Sequence, residues 1–318
     1  MTVPTIPDAL ARQVGSAADG AAWLERLPHL VEGARERWGL TLGDPFPSGA
    51  AGWTAPARTA DGADVVVKIV FPHDEAVGEA IALRLWCGNG GPELLDHDAE
   101  AWTLLLRHLR PGHGIEEDPA LLEARVENRL EIAGELLGRL QGASSDGLEL
   151  VRLADYTTNL ADILRDRTQR HGPSLGADRG LLVEAANLLE ELPTEYTASG
   201  ASLVHGDFNP GNILADDATG TRTWVAIDPK PMVGDPAYDP APLVSQVADP
   251  FRQEDAVTLL RTRTRVVGGA SGLDPARVAA WAMARAAESA LWRADQLGDR
   301  EGALAELDQA HLWSRLAV

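Results

Sequence analysis

Residues 203–214 read LVHGDFNPGNIL, and residues 224–239 read WVAIDPKPMVGDPAYD. The first stretch places Asp207 in a polar loop after an apolar run, with Asn212 five residues later, and in the second stretch Asp228 ends an apolar strand. Magnesium prefers hard oxygen ligands such as carboxylates, together with phosphates and water. Each of these residues alone is typical of an ordinary turn. Together they predict a site that holds magnesium against phosphate groups.

Asp207 is the candidate catalytic base of such a site. Phosphoryl transfer needs little covalent chemistry from the protein, which mainly orients a hydroxyl near a carboxylate and holds magnesium on the phosphates. The Asp207 carboxylate could accept the proton of an attacking hydroxyl, and Asn212 and Asp228 are the candidate magnesium ligands. We interpret His205 as a brace of this loop rather than as a chemical group.

The order HGD, N, ID and D-x-x-x-D resembles the aminoglycoside phosphotransferase branch of the kinase-like enzymes. Further segments resemble the streptomycin kinase and hydroxyurea phosphotransferase subgroup of that family, from about residue 50 to 245. They are ADVVVKIV (63–70), GEAIALRLW (78–86), AWTLLLRHLRPG (101–112) and IDPK (227–230). The HGD and IDPK segments are the specific ones, and the others support them.

The resemblance implies an α/β fold of the bilobal protein-kinase-like type, with ATP and magnesium as cofactors. A small N-terminal lobe over 1–108 would carry an antiparallel sheet after a helical lead-in over 1–45. A larger, mainly helical lobe over 109–318 would carry the catalytic loop and the acceptor site. Asp239 matches the family position that hydrogen-bonds the backbone of the catalytic loop, so its expected role is structural.

Lys68 interrupts the apolar strand VVVKIV, and burying an unpaired ammonium is costly. ATP phosphates would explain it, and the resemblance implies that an ion pair with Glu79 holds the amine toward them. Glu79 falls in a predicted helix that is capped at Asp74 and ends near residues 88–91. Glu75 is an alternative partner. The alternative without a function is that Lys68 lies on an edge strand and reaches solvent, and that Glu79 is a solvated glutamate on its helix.

Two other segments are candidate nucleotide contacts. The small residues of Ser48–Gly52 could let backbone amides approach phosphates, although an ordinary turn explains them equally well. The apolar strand 101–109 runs into Arg110-Pro111-Gly112, a connection between lobes. By resemblance, backbone groups at Leu106 and Leu109 would hold the adenine, and an ordinary central strand is the alternative.

Helical periodicity over 119–140 predicts one core helix of the second lobe, and further helices are predicted over 253–267, 275–297 and 300–317. In the third of these four helices, Glu288 and Asp295 lie two turns apart and share a face with Trp292. Carboxylates could recognise ammonium or hydroxyl groups, and an indole could stack on a sugar. This face is the candidate acceptor site, with a packed tryptophan among solvated charges as the alternative.

Charge and cysteine content indicate which ligands and which cellular location suit this chain. The 318 residues carry a formal charge of -20 from 48 acidic and 28 basic residues, which disfavours nucleic acid as a ligand. A cationic acceptor would be attracted, although solubility alone also explains such a charge. The single cysteine, Cys87, rules out an internal disulfide and suits a cytoplasmic location, and it is predicted to be a small buried residue on a helix. No secretion signal or membrane span is evident.

The function that the resemblance implies is an ATP- and magnesium-dependent O-phosphotransferase whose acceptor is streptomycin or a related aminocyclitol. A metabolic kinase of an amino sugar, an amino alcohol or hydroxyurea would use the same core, and a non-catalytic nucleotide-binding module is the alternative from another class. Many relatives carry a glycine two residues after the aspartate that corresponds to Asp228, whereas this chain has Pro229-Lys230-Pro231. Lys230 could approach the phosphates or pair with Asp228.

Overall fold

Two compact units make up the chain in the computed structural model. The described residues are 4–47, 49, 51–145, 147–196, 201–218 and 220–317. One unit comprises residues 1–112 with 216–221, and the other comprises residues 113–215 with 222–318. The predicted lobe boundary at residue 108 stays a prediction. In the small-residue loop proposed for phosphate contact, Ser48 and Ala50 lie outside the described residues.

An antiparallel five-stranded sheet is the frame of the smaller unit, with strands in the order β1-β2-β3-β5-β4. The strands are β1 (Thr41–Leu42), β2 (Gly52–Arg58), β3 (Asp64–Val70), β4 (Leu94–Asp98) and β5 (Thr103–Arg107). The β-branched residues of β3 favour this extended, half-buried surface. Since β3 pairs with a strand on each side, Lys68 does not lie on an edge strand. The alternative that Lys68 is an edge-strand lysine is therefore wrong.

Two helices at the start of the chain cover this sheet, as the predicted lead-in requires. They are α1 (Asp8–Gly15) and α2 (Gly20–Trp38). Their buried residues, including Leu10, Trp23 and Leu27, share one apolar core with Trp53 of β2 and Ile69 of β3. The indole Nε1 of Trp53 donates to the Thr5 carbonyl at 2.9 Å, so this large apolar side chain also satisfies its polar atom.

The predicted helix between β3 and β4 is shorter than expected. A 3-10 turn covers Asp74–Ala76, with His73 rather than Asp74 at its N-cap, and α3 covers only Glu79–Leu85. Gly78 takes the N-cap position, so Glu79 opens the helix. Cys87 lies beyond the helix and is exposed, so the prediction of a buried helical cysteine is wrong. The chain turns back here, and Cys87 forms an isolated bridge with Gly91.

The larger unit is mainly helical and is organised around one central helix. Its helices are α4 (Pro119–Glu123), α5 (Val126–Gln141), α6 (Leu153–Leu175), α7 (Arg179–Tyr196), α8 (Pro240–Gln246), α9 (Ala256–Ser271), α10 (Pro275–Trp292) and α11 (Arg300–Ser314). Helix α10 packs against α6, α7, α8, α9 and α11. Its six buried alanines, with Trp281 and Met283, give it an apolar surface on most sides, as a helix inside a core requires.

One predicted helix is two helices in the structure. The periodicity over 119–140 predicts a continuous helix, but Ala124 is extended with a ψ of 172° and separates α4 from α5. No residue of α4 is buried, so the apolar spacing there does not correspond to a core face. The predicted start is confirmed, because the Asp118 side chain caps α4 and Pro119 opens it. Likewise, the helix predicted over 275–297 ends at Trp292, and a π-helical turn follows over Arg293–Leu297.

Short strands position the loops that carry the candidate site. They are β6 (Pro111–Gly114), β7 (Ser202–Val204), β8 (Ile213–Asp216), β9 (Thr223–Ala226) and β10 (Met232–Gly234). Strands β6, β8 and β9 form one sheet in that order, and β7 pairs antiparallel with β10, with Met232 opposite Val204. Within the described residues, no helix combines the length and apolar character needed to cross a bilayer.

Candidate active site

A buried carboxylate holds the loop that follows β7. The two oxygens of Asp239 accept hydrogen bonds from the backbone N–H groups of His205, at 2.7 Å, and Gly206, at 2.8 Å. This is the contact that the resemblance implies for Asp239. Burial raises the pKa of this carboxyl to about 6, although both N–H donors oppose the rise. At neutral pH the carboxylate therefore fixes the start of the loop through two charge-assisted hydrogen bonds.

His205 is a neutral brace inside this loop. Its side chain is fully buried, and its Nε2 lies 3.1 Å from the Ile227 carbonyl while its Nδ1 lies 3.3 Å from the Asp207 N–H. A carbonyl only accepts and an N–H only donates, so this pair of contacts requires the neutral tautomer protonated at Nε2. Burial lowers the pKa of His205 to about 4. The ring thus connects the loop to the residue that precedes Asp228.

The pH dependence of stability tests this assignment. The fold keeps His205 neutral down to about pH 4, whereas the unfolded chain binds a proton below about 6.5, so the free energy of unfolding falls as pH falls through this window. Asp239 acts in the opposite direction, because its folded pKa of about 6 exceeds the unfolded 3.8 and its contribution rises as pH falls. In His205→Gln only the second contribution remains. The stability advantage of the wild type over this variant is expected to shrink by about 2–3 kcal/mol between about pH 7 and about pH 4.5 in urea unfolding.

His29→Gln is the matched control for this experiment, since His29 is exposed on α2. Its difference from the wild type is expected to be small at every pH. A wild-type advantage over His205→Gln that stays constant across the pH range contradicts a neutral, buried His205.

Asp207 has its carboxylate positioned by two side chains. Asn209 Nδ2 donates to Oδ1 at 3.0 Å, and Lys230 Nζ lies 3.6 Å from Oδ2. The Asp207 carbonyl accepts from Asn212 Nδ2 at 2.9 Å. Asn209 was missed by the sequence reasoning, although the signal was present. An asparagine directly before Pro210 is typical of an N-cap, and its oxygen does cap the following 3-10 turn by accepting from Gly211 N–H.

Asn212 and Asp228 are brought together by the pairing of β8 with β9. The N–H of Ile227 donates to the Asn212 carbonyl at 2.9 Å, and Asp228 follows directly. Asn212 Nδ2 donates to the Asp207 carbonyl, so the side-chain oxygen of Asn212 is the atom that could bind a metal. The described residues contain no group of three His, Cys, Asp or Glu side chains suited to a metal. One carboxylate and one amide oxygen instead fit magnesium, which takes its other ligands from phosphates and water.

In the smaller unit, Lys68 and Glu79 form an ion pair. Lys68 Nζ lies 2.5 Å from Glu79 Oε1, with the side chains only 12% and 5% exposed. This contact removes the cost of an unpaired buried ammonium on β3. Leu106 lies on β5 and is half-buried, and Leu109 follows the strand and is buried. Nucleotide contact by these four residues stays a prediction.

The predicted acceptor residues belong to an ion-pair cluster. Arg167 of α6 donates to Glu288 at 2.7 Å and to Asp295 at 3.3 Å. Asp295 also lies 2.8 Å from His171 Nε2. Trp292 is 40% exposed. The two carboxylates therefore share a face, as the spacing predicts, but they already bind an arginine of the same chain, and acceptor binding there stays a prediction.

The sequence is similar to known phosphotransferases over most of its length. Residues 37–297 match the family described as aminoglycoside/hydroxyurea antibiotic resistance kinase. A streptomycin 6-kinase of Streptomyces glaucescens is 35% identical over 314 residues, which cover 96% of this chain and 94% of that protein. A hydroxyurea phosphotransferase of Kitasatospora aureofaciens is 32% identical over 298 residues, covering 92% and 82% of the two chains.

A solved structure with the same fold is similar over most of both chains. The crystal structure of a choline/ethanolamine kinase family protein from Mesorhizobium loti has a TM-score of 0.57, covers 90% of this chain and 93% of its own, and is 17% identical. At this identity the likeness concerns the fold alone. It confirms the predicted kinase-like α/β fold.

Proposed function

The chain belongs to the aminoglycoside/hydroxyurea antibiotic resistance kinase family, and we propose that it transfers the γ-phosphoryl group of ATP to a hydroxyl of streptomycin or a related aminocyclitol. The observation that carries the proposal is the Asp207 loop. It presents a carboxylate, 28% exposed, between an amide and an ammonium group, on a backbone held by the buried Asp239. Such a rigid, accessible carboxylate suits a base that orients a hydroxyl.

In the proposed reaction the acceptor hydroxyl oxygen forms a bond to the γ-phosphorus. The bond from that phosphorus to the bridging oxygen breaks, its electron pair leaves with ADP, and the hydroxyl proton passes to the Asp207 carboxylate. Asn212 and Asp228 would hold magnesium, which when bound neutralises charge on the phosphates. Lys68 would contact the phosphates, with Glu79 orienting it.

Streptomycin is the favoured acceptor because two features of the chain agree. Relatives named for streptomycin 6-kinase activity are 35% and 31% identical to it. The formal charge of -20 would also attract a cationic antibiotic. Hydroxyurea is the second candidate, since the relative at 32% identity carries the name hydroxyurea phosphotransferase.

A panel of acceptors tests the proposal. Release of ADP from ATP would be measured with streptomycin, other aminoglycosides, amino sugars, amino alcohols and hydroxyurea, each with magnesium and with EDTA. We expect magnesium-dependent release that requires streptomycin, and a phosphorylated product of matching mass. Release only with an amino sugar, an amino alcohol or hydroxyurea would move the acceptor to that class. Tight nucleotide binding without release for any acceptor would instead support a non-catalytic module.

A further inference from the structure

The backbone of Lys230 is fixed against the catalytic loop. Its N–H donates to the His205 carbonyl at 2.8 Å. Its carbonyl lies so close to Gly206 that a Cβ added there would be 2.0 Å from the oxygen, and Gly206 has a φ of +80°. The pairing of Met232 with Val204 continues this contact along β10 and β7. The lysine therefore has a set position beside Asp207.

The side chain of Lys230 points its charge at Asp207 without being buried. Nζ lies 3.6 Å from Asp207 Oδ2, and the two side chains are 36% and 28% exposed. An ion pair between groups this exposed contributes little to stability. The contact is thus open to a substrate that approaches the same carboxylate.

Lysine is rare in this chain, which makes its use at position 230 informative. Only two of the 28 Lys and Arg residues are lysines, Lys68 and Lys230, and the rest are arginines. Other ion pairs of the larger unit, such as those of Arg167 and Arg277, use arginine. Lysine differs by offering a compact ammonium on a flexible stem, a point charge suited to phosphate. Lys68 is already the residue proposed to contact the nucleotide phosphates.

Distances measured from the Asp207 carboxylate indicate that Lys230 can contact the transferred phosphoryl group. A hydroxyl that gives its proton to Asp207 lies about 3 Å from that carboxylate, and its oxygen lies about 3–3.5 Å from the phosphorus before attack. The ammonium lies 3.6 Å from the same carboxylate. The γ-phosphoryl oxygens therefore come within range of the flexible lysine stem.

From these observations we infer that Lys230 is a further catalytic residue, whose ammonium donates hydrogen bonds to the γ-phosphoryl oxygens of the nucleoside triphosphate while it faces Asp207. The inference rests on the proposed function. Lys230 keeps its protons throughout, and the hydroxyl proton still passes to Asp207. Charge spreads over the three equatorial oxygens during transfer, so an ammonium group that contacts them stabilises the transition state more than the ground state.

Substitution of Lys230 is the first test. Lys230→Met is expected to lower turnover by about 10²-fold, the effect of removing one transition-state donor, with little change in melting temperature or ADP binding. Binding of ADP with aluminium fluoride, a mimic of the transferring phosphoryl group, should weaken at least tenfold in calorimetry. Lys230→Arg should recover part of both losses, because it keeps the charge but not the compact geometry. Arg252→Met, which removes an exposed ion pair with Asp249, is the matched control.

Two results of this test would overturn the inference. One is turnover by Lys230→Met close to that of the wild type. The other is a loss that appears equally in binding of ADP alone, because this would indicate a general distortion of the site rather than a contact with the γ-phosphoryl group.

Amine labelling gives a second test that needs no variant. Wild-type protein would be acetylated with an N-hydroxysuccinimide ester, with ADP or with a non-hydrolysable ATP analogue, and the Lys230 peptide quantified by mass spectrometry. We expect the triphosphate to slow acetylation of Lys230 several-fold more than ADP does. Equal rates with both nucleotides would overturn the inference. If the wild type phosphorylates no acceptor, the proposed function fails, and the labelling still decides whether Lys230 contacts the γ-phosphate.

Discussion

Replacing Asp207 by asparagine is expected to lower the turnover of phosphoryl transfer by about 10³-fold, because a positioned general base contributes on this order. The substitution keeps the shape of the side chain, and an amide oxygen can still accept from Asn209 Nδ2. It removes the negative charge and the ability to take the hydroxyl proton. ATP binding and the thermal melting temperature should therefore change little. Turnover would be followed by ADP release, and nucleotide affinity by calorimetry.

Asp308→Asn is the matched control for Asp207→Asn, since Asp308 is exposed on α11. It changes the net charge by the same amount, so it reports any effect of the overall field on a cationic acceptor. Wild-type turnover by Asp207→Asn would refute the assignment of Asp207 as the base. A loss shared by both variants would point to long-range attraction of the acceptor instead.

Replacing Asp228 by asparagine is expected to lower turnover by about 10²-fold or more, because a metal that neutralises phosphate charge supplies several kcal/mol of transition-state stabilisation. The variant should also lose the magnesium dependence of nucleotide binding, which calorimetry measures by comparing Mg-ATP with ATP in EDTA. Asparagine is the suitable substitution because Asp228 has a φ of 57°, and asparagine tolerates this left-handed conformation better than alanine.

Asp228→Gly separates the side chain from the backbone in this experiment. Glycine adopts a positive φ without strain, so it removes the carboxylate and keeps the local conformation. Both variants should lose magnesium-dependent binding, with glycine losing at least as much as asparagine. If Mg-ATP binds to Asp228→Asn as it does to the wild type, Asp228 is not a magnesium ligand.

Local features of the structure could be predicted well from the sequence. The family and the kinase-like fold that the HGD and IDPK segments indicated are confirmed by the match over residues 37–297 and by the structural likeness. The proline-led helix starts predicted at Pro119 and Pro275 are confirmed, because the Asp118 and Asp274 side chains cap α4 and α10. These signals act within a few residues, so a short stretch of sequence is enough to contain them.

Where a prediction depended on a core face, it was less reliable. The apolar spacing over 119–140 matched one helix, yet α4 buries none of its residues and the chain becomes extended at Ala124. Cys87 was predicted to be buried because free cysteines usually are, but α3 ends before it and it is exposed. Periodicity indicates which residues could share a face, but not whether another element packs against that face.

The sequence by itself determined which oxygen and nitrogen groups fall in one loop, because residues 205–212 are close neighbours along the chain. Only the tertiary structure decided their distant partners. The β7–β10 register places Lys230 beside Asp207. The fold buries Asp239 where its carboxylate accepts from two backbone N–H groups. Arg167 on α6 forms ion pairs with Glu288 and Asp295, which follow much later in the chain. Many residues of this chain carry suitable charges. Which of them meet depends on strand register and helix packing, and these are set by the whole buried core.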